Sequence, residues 1–204
     1  GEMALAVSDM TICDRIDPDY LASHYALLQN ARVIVCDANI PDSSLHYLAE
    51  QFRAPIFCDP VSTAKAEKLR PILSRIHTLK PNRLEAELLS GVRIESRADA
   101  ETAARALLDA GVQRVVLSLG RDGMYAATRQ ESCWMDNLPC RMVNTTGCGD
   151  SVMAALVWSY LEGLSLEDSA RAGLAAGSIT IETPETISPV MSADELRNRM
   201  KIED

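Results

Sequence analysis

Ile56-Phe57-Cys58, then the span Ser62 to Ser74, then Ile76-His77-Thr78-Leu79 is the stretch from which the fold can be read. The two short runs are continuously apolar or β-branched rather than alternating, as expected of strands buried on both faces. The span between them is long enough for a crossover helix. Strand, helix, strand in this order gives a right-handed crossover and parallel pairing. The rhythm extends outward in both directions. Val33-Ile34-Val35-Cys36 and Val115-Val116-Leu117 read as further buried strands, and Asp42 to Arg53, Asn82 to Ser90 and Ala98 to Ala110 as helices, the last stopped by Gly111. The predicted class is α/β, a central mostly parallel sheet with helices on both faces. In such sheets ligands bind beyond the C-terminal ends of the strands. Asp37, Asn39, Asp59, Lys80, Asn82, Ser118 and Gly120 all lie at or just past a predicted strand end, so one edge of the sheet collects the polar candidates.

Downstream, Asn144-Thr145-Thr146-Gly147-Cys148-Gly149-Asp150 runs straight into the apolar Ser151 to Leu161. Two glycines around one small residue, where a loop becomes a buried helix, allow the Gly147, Cys148 and Gly149 amides to converge as an anion hole, with Asp150 opening the helix beside them. Phosphoryl transfer to an alcohol needs that pair, since charge has to be neutralised and the attacking hydroxyl relieved of its proton. Alone, the turn reads equally as a glycine cap on a core helix. Lys80-Pro81-Asn82-Arg83-Leu84-Glu85 places Asn82 and Glu85 three apart at a helix start, which also suits a simple capping box. Val115 to Met124 is a strand ending in a turn with Gly120 and Gly123, and alone it reads as a hairpin into Tyr125-Ala126-Ala127.

Taken in order, these three elements resemble the ribokinase (PfkB) family of carbohydrate and nucleoside kinases. The glycine turn is similar to the family's C-terminal signature, Lys80 to Glu85 to its Asn-x-x-Glu element, and Ser118 to Gly123 to its nucleotide-binding loop. The resemblance implies a ribokinase-like domain over residues 1–204 with ATP and Mg2+ as cofactors. It assigns Asp150 as the base, the Gly147, Cys148 and Gly149 amides as the anion hole, and Glu85 as the carboxylate holding the metal through water. It further implies nucleotide contacts from Asn82, Ser118, Gly120, Gly123 and Thr146. Ala175, Ala176 and Ile179 would form a wall of the adenine site, with plain helix packing an equal alternative. Asn39 and Asp59 are expected acceptor contacts. Cys58 to Ala66 and Leu79 to Asn82 resemble the branch of the family that phosphorylates pseudouridine. Ribose or another free sugar, a hydroxymethylpyrimidine or pyridoxal kinase, and a nucleotide-binding relative without catalysis stand as alternatives.

The family's N-terminal substrate-binding elements, a Gly-Gly motif and an early Asp, have no counterpart here, and Gly1 to Ile12 resembles the end of a lid strand. Asn144 stands where many relatives carry Asp, which removes a charge and puts in doubt the monovalent-cation (K+) site that some relatives build nearby. Cys148 replaces the usual Ala, and a thiol at a helix N-terminus is expected to have a lowered pKa. His24, His46 and His77 match no motif and read as surface or core histidines.

Composition sets the frame. The chain has 204 residues, 47% of them hydrophobic, enough for one sizeable core and one domain. A net charge of −9 speaks against nucleic acid as a partner, because phosphate contacts require a basic face. Cys13, Cys36, Cys58, Cys133, Cys140 and Cys148 form no Cys-x-x-Cys pair and read as reduced thiols, consistent with a cytoplasmic location. No stretch approaches the roughly 18 apolar residues of a membrane span and Gly1-Glu2 begins no signal peptide, so no membrane partner is expected. The expected partners are a small sugar or nucleoside and ATP, with a homodimer as the expected assembly.

Overall fold

The computed structural model describes residues 9–201. Of the expected lid strand Gly1 to Ile12, residues 1–8 lie outside the described residues, and Thr11 and Ile12 begin a 3-10 turn, Thr11–Arg15, instead of a strand. Two short helices follow, α1 (Pro18–Ser23) and α2 (Tyr25–Gln29). The remainder is β1 (Ile34–Asp37), α3 (Asp42–Gln51), β2 (Ile56–Asp59), α4 (Thr63–Ala66), β3 (Ile76–Leu79), α5 (Arg83–Ser90), α6 (Arg97–Asp109), β4 (Arg114–Ser118), β5 (Met124–Ala127), β6 (Ser132–Met135), α7 (Cys148–Leu161), α8 (Leu166–Ile181) and α9 (Ala193–Met200).

The strands form one sheet in sequential order, β1 to β6. The pairs β1–β2, β2–β3 and β3–β4 are parallel, and β4–β5–β6 is an antiparallel ribbon. Sequential order with crossovers of one hand puts every crossover helix on the same face. The packing shows it: Ile56, Cys58, Ile76, Val115 and Leu117 bury against Leu45, Leu69, Ala86 and Leu107 from that helical layer. Phe57, Val116, Met124 and Ala126, one residue out of phase, face Val152, Met153 and Leu156 of α7 and Ala170 of α8. Continuous apolar strands are what a sheet covered on both faces requires.

One expected helix differs. Ser62 to Ser74 yields only α4 before the chain tightens into a 3-10 segment, Glu67–Arg75, containing Pro71. Proline has no N–H to donate to residue 67, and its ring crowds that carbonyl, so α geometry cannot continue. The expected starts of α3 and α5, and the end of α6 before Gly111, fall within a residue of those observed.

His77 belongs to the core. Its ring stacks on Phe57 (centroids 5.3 Å apart, 17° between planes) and meets Tyr160 edge-on at 4.8 Å. Burial, and secondarily the Arg114 guanidinium, lower its pKa to about 4. The unfolded chain therefore binds a proton that the folded chain refuses between about pH 6.5 and pH 4. His77 is expected to cost stability on the order of 1–3 kcal/mol as pH falls through that window, partial exposure discounting the full shift. Denaturant melts of His77→Phe against wild type at pH 7.5 and pH 4.5 test this: the variant should lose visibly less stability over the interval, and equal losses would remove His77 as a source of acid sensitivity.

Candidate active site

The strand ends do assemble one polar edge. Asp37 and Asp59 sit side by side as register partners at the ends of β1 and β2. Lys80, one residue past β3, is 6% exposed and places its ammonium 2.8 Å from Asp59 Oδ2. The other Asp59 oxygen accepts the Val61 N–H at 3.0 Å. Val61 has φ 66° although it is β-branched, and the Ser62 N–H closes on the Pro60 carbonyl at 2.8 Å, so a strained three-residue turn fixes the carboxylate from behind.

Asn82 and Glu85 form a complete capping box. Asn82 Oδ1 accepts the Glu85 N–H at 3.0 Å, while the Asn82 N–H and Nδ2 donate to Glu85 Oε2 and Oε1 at 2.9 and 2.8 Å. Glu85 is 2% exposed, and burial raises its pKa against the opposing effect of these hydrogen bonds. The sequence left a capping role and a metal role open; the geometry shows the first in full. The α5 start is tied to β4 by a bridge between Asn82 and Ser118, with the Ser118 N–H donating to the Pro81 carbonyl at 3.0 Å. Arg83 reaches Asp122 of the Gly120 loop at 2.6 Å.

Gly147 caps α7 with φ 81°, and a Cβ there would meet the Thr186 carbonyl oxygen at 2.3 Å, so only glycine fits. Asp150 is accordingly the third residue of the helix and does not open it, contrary to expectation. The Cys148 N–H is directed at the Thr145 carbonyl at 3.3 Å. The first-turn amides without an intrahelical partner are then those of Gly149 and Asp150. A Cβ on Gly149 would lie 3.5 Å from Lys80 Nζ and 3.9 Å from Asp59 Oδ2, ordinary contact distances, so the turn runs directly beside the buried ion pair.

Two cavities flank this helix start. One, of about 780 Å³, is lined by Asp37, Asp59 and Asp150 and by apolar side chains including Val35, Val157 and Trp158. The other, of about 440 Å³, is lined by Ser118, Gly120, Gly123, Thr145, Cys148, Gly173 and Gly177, among others.

The structure corrects four expectations. Ala176 and Ile179, with Ala175, face away from the second cavity and pack with Ala155 and Leu196; the helical period puts Gly173, Leu174, Gly177, Ser178 and Ile181 on the cavity stripe instead. Thr145 lines that cavity, whereas Thr146 gives its N–H to Asn144 Oδ1 at 3.0 Å. Asn39 spends its side chain inside the protein, donating to Asp37 Oδ2 at 2.7 Å and accepting from Lys65 Nζ; Asp37 is the group left facing the first cavity. The Cys148 thiol is pushed up in pKa by burial, with Lys80 only partly opposing it, so it is not the activated thiol expected at a helix N-terminus. Sequence reasoning placed Lys80 among the polar candidates of the sheet edge but gave it no role of its own. A lysine directly after a buried strand was the available signal.

Residues 16–193 match the pfkB family carbohydrate kinases, and the chain belongs to that family. It is 39% identical over 94% of its length to pseudouridine kinase of Escherichia coli K12 and 35% identical over 95% to an uncharacterized sugar kinase, YeiI, of the same strain. It spans 62% of the first relative and 54% of the second. A carbohydrate kinase from Agrobacterium tumefaciens superimposes with TM-score 0.79 at 28% identity, covering 98% of this chain and 64% of that one. Among the described residues no helix is long and apolar enough to cross a membrane, and no group of three or more His, Cys, Asp or Glu side chains is gathered as a metal site.

Cys140 is exposed and Cys148 half-buried on the second cavity. Under limiting iodoacetamide at pH 8, mass mapping should find Cys140 carboxamidomethylated well before Cys148, with ATP slowing only Cys148. Faster reaction at Cys148 would mean that its thiol is activated after all.

Proposed function

We propose that the chain carries the phosphoryl-transfer centre of an ATP-dependent sugar or nucleoside kinase that phosphorylates a primary, 5′-type hydroxyl, with pseudouridine as the acceptor. The observation that carries this is that two cavities flank one helix start: Asp150 lines the larger, and Cys148, two residues earlier, lines the smaller. A donor in one and an acceptor in the other bring their reacting atoms together at the α7 N-terminus, which is the geometry of in-line transfer.

Each group then has a task. Asp150 takes the proton of the attacking hydroxyl. The Gly149 and Asp150 amides, the positive end of α7 and the Lys80 ammonium hold the negative charge of the transferring group. Lys80 does so while Asp59 keeps it from being an unpaired buried charge. Gly120 and Gly123 of the loop after β4, with Gly173 and Gly177 on α8, leave room for the nucleotide. Magnesium fits as a hydrated ion: Glu85 already accepts hydrogen bonds at both oxygens, and Mg2+ characteristically retains several waters beside one carboxylate and the phosphates. When bound, the ion neutralises phosphate charge.

Pseudouridine is supported by the 39% identity to the Escherichia coli enzyme; the likeness to a sugar kinase of unassigned substrate keeps free sugars as the competing acceptors. Full-length protein is assayed with ATP and magnesium against pseudouridine, uridine, ribose and fructose. The highest kcat/KM is expected for pseudouridine, because a site that bonds its extra N–H leaves a buried group unpaired with uridine. A free sugar matching it would sink the nucleoside assignment and leave the kinase. In the same assay Asp150→Asn should lower kcat by roughly 10²–10⁴-fold with ATP affinity little changed. Wild-type turnover in that variant would exclude Asp150 as the base.

A further inference from the structure

The family resemblance implies a monovalent-cation site beside position 144, and the groups found there do not fit one. The residue is an amide, not a carboxylate, and both of its polar atoms are already used. Asn144 Nδ2 donates to the Pro184 carbonyl at 3.0 Å and Oδ1 accepts the Thr146 N–H at 3.0 Å. The partners fix which way the amide points, since a carbonyl needs a donor and an N–H needs an acceptor. A cation in this place would face the positive end of the amide, with the Pro184 oxygen already engaged. The nearby carboxylate, Glu185, accepts the Thr183 hydroxyl. The Thr186 carbonyl lies against Gly147 so closely that a Cβ would stand 2.3 Å from it.

We infer that the Asn144 amide does here what a bound cation would do, clamping the 183–186 loop onto the Gly147 turn, so that this protein is independent of monovalent cations. The clamp has two further strands of support. The Val143 and Asn144 N–H groups both donate to the Ile181 carbonyl, at 2.8 and 3.2 Å, anchoring the start of the turn to the end of α8. The 183–186 loop is otherwise largely exposed, with Thr183 its buried residue, so a single side chain reaching from the turn to its backbone has a large share in holding it. Asn144 is a positioning residue: it touches neither cavity and acts through the Gly147 turn, whose conformation sets the direction of the Gly149 and Asp150 amides.

The inference rests on the kinase reading, and its test separates the two. Full-length wild type, Asn144→Asp and Asn144→Ala are compared in KCl, NaCl and choline chloride at equal ionic strength, by kcat with the best acceptor and by melting temperature without substrate. Wild type should show the same rate and the same melting temperature in all three salts. Asn144→Asp should be slowed about tenfold in choline, because it loses the hydrogen bond to the Pro184 carbonyl and gains carboxylate–carbonyl repulsion while keeping the Thr146 N–H bond, and K+ should restore its rate and raise its melting temperature. Asn144→Ala should be slowed in every salt without rescue. Activation or thermal stabilisation of wild type by K+ over choline would overturn the inference, as would an Asn144→Asp enzyme indifferent to salt. If wild type phosphorylates no acceptor at all, the kinase reading fails, and the melting temperatures still decide whether the amide or a cation holds the loop.

Discussion

The Lys80–Asp59 ion pair is the contact on which the rest of the site depends. It joins the ends of two neighbouring strands in a place where the ammonium is almost wholly buried, and a buried charge is tolerated only with a partner in good geometry. The pair is directional. Asp59 is held from behind by the Val61 N–H in a strained turn, which leaves the lysine facing the glycine turn of α7. Remove either partner and the other becomes an uncompensated charge close to the backbone segment proposed to bind phosphate.

The sheet explains why this pair lies where it does. With strands in sequential order and crossovers of one hand, the C-terminal strand ends of β1 to β4 line up on one edge, and the crossover helices occupy one face only. The opposite face is left for α7 and α8. α7 therefore arrives from outside the crossover layer, and its N-terminus can be aimed at the strand ends. Gly147 allows it to come close by admitting the left-handed turn against Thr186, and Gly149 then faces the Lys80 ammonium.

The second cavity depends on the same packing. α8 is buried over most of its length, and small residues at 173 and 177 let it lie near Cys148 and Val152 of α7 while lining the second cavity with them. The 183–186 loop that follows α8 returns to the turn, with the Asn144 amide bonded to the Pro184 carbonyl and Thr186 packed against Gly147. A single continuous run, α7, α8 and the loop after it, thus builds both the wall of one cavity and the brace of the turn between the two.

Much of this was legible in the sequence. Continuous β-branched runs separated by helical spans required a doubly covered parallel sheet, and the order of three glycine- and Asn/Glu-containing elements pointed to phosphoryl transfer. The Asn82–Glu85 capping box follows from spacing alone, because both partners lie within one helical turn. Pro71 was also in plain view as a reason for the 3-10 segment. What the sequence could not determine were relations that depend on helix phase and on chain segments far apart in number. Whether α8 turns Ile179 or Ser178 toward the cavity is set by how α7, α9 and the sheet pack around it. That Asn39 is consumed by Asp37 and Lys65, that Thr145 rather than Thr146 lines the second cavity, and that Lys80, Asp59 and Gly149 converge are products of tertiary packing. Local sequence fixes which groups are available; only the fold brings residues 59, 80 and 149 within a few ångströms, because no short-range interaction ties those positions together.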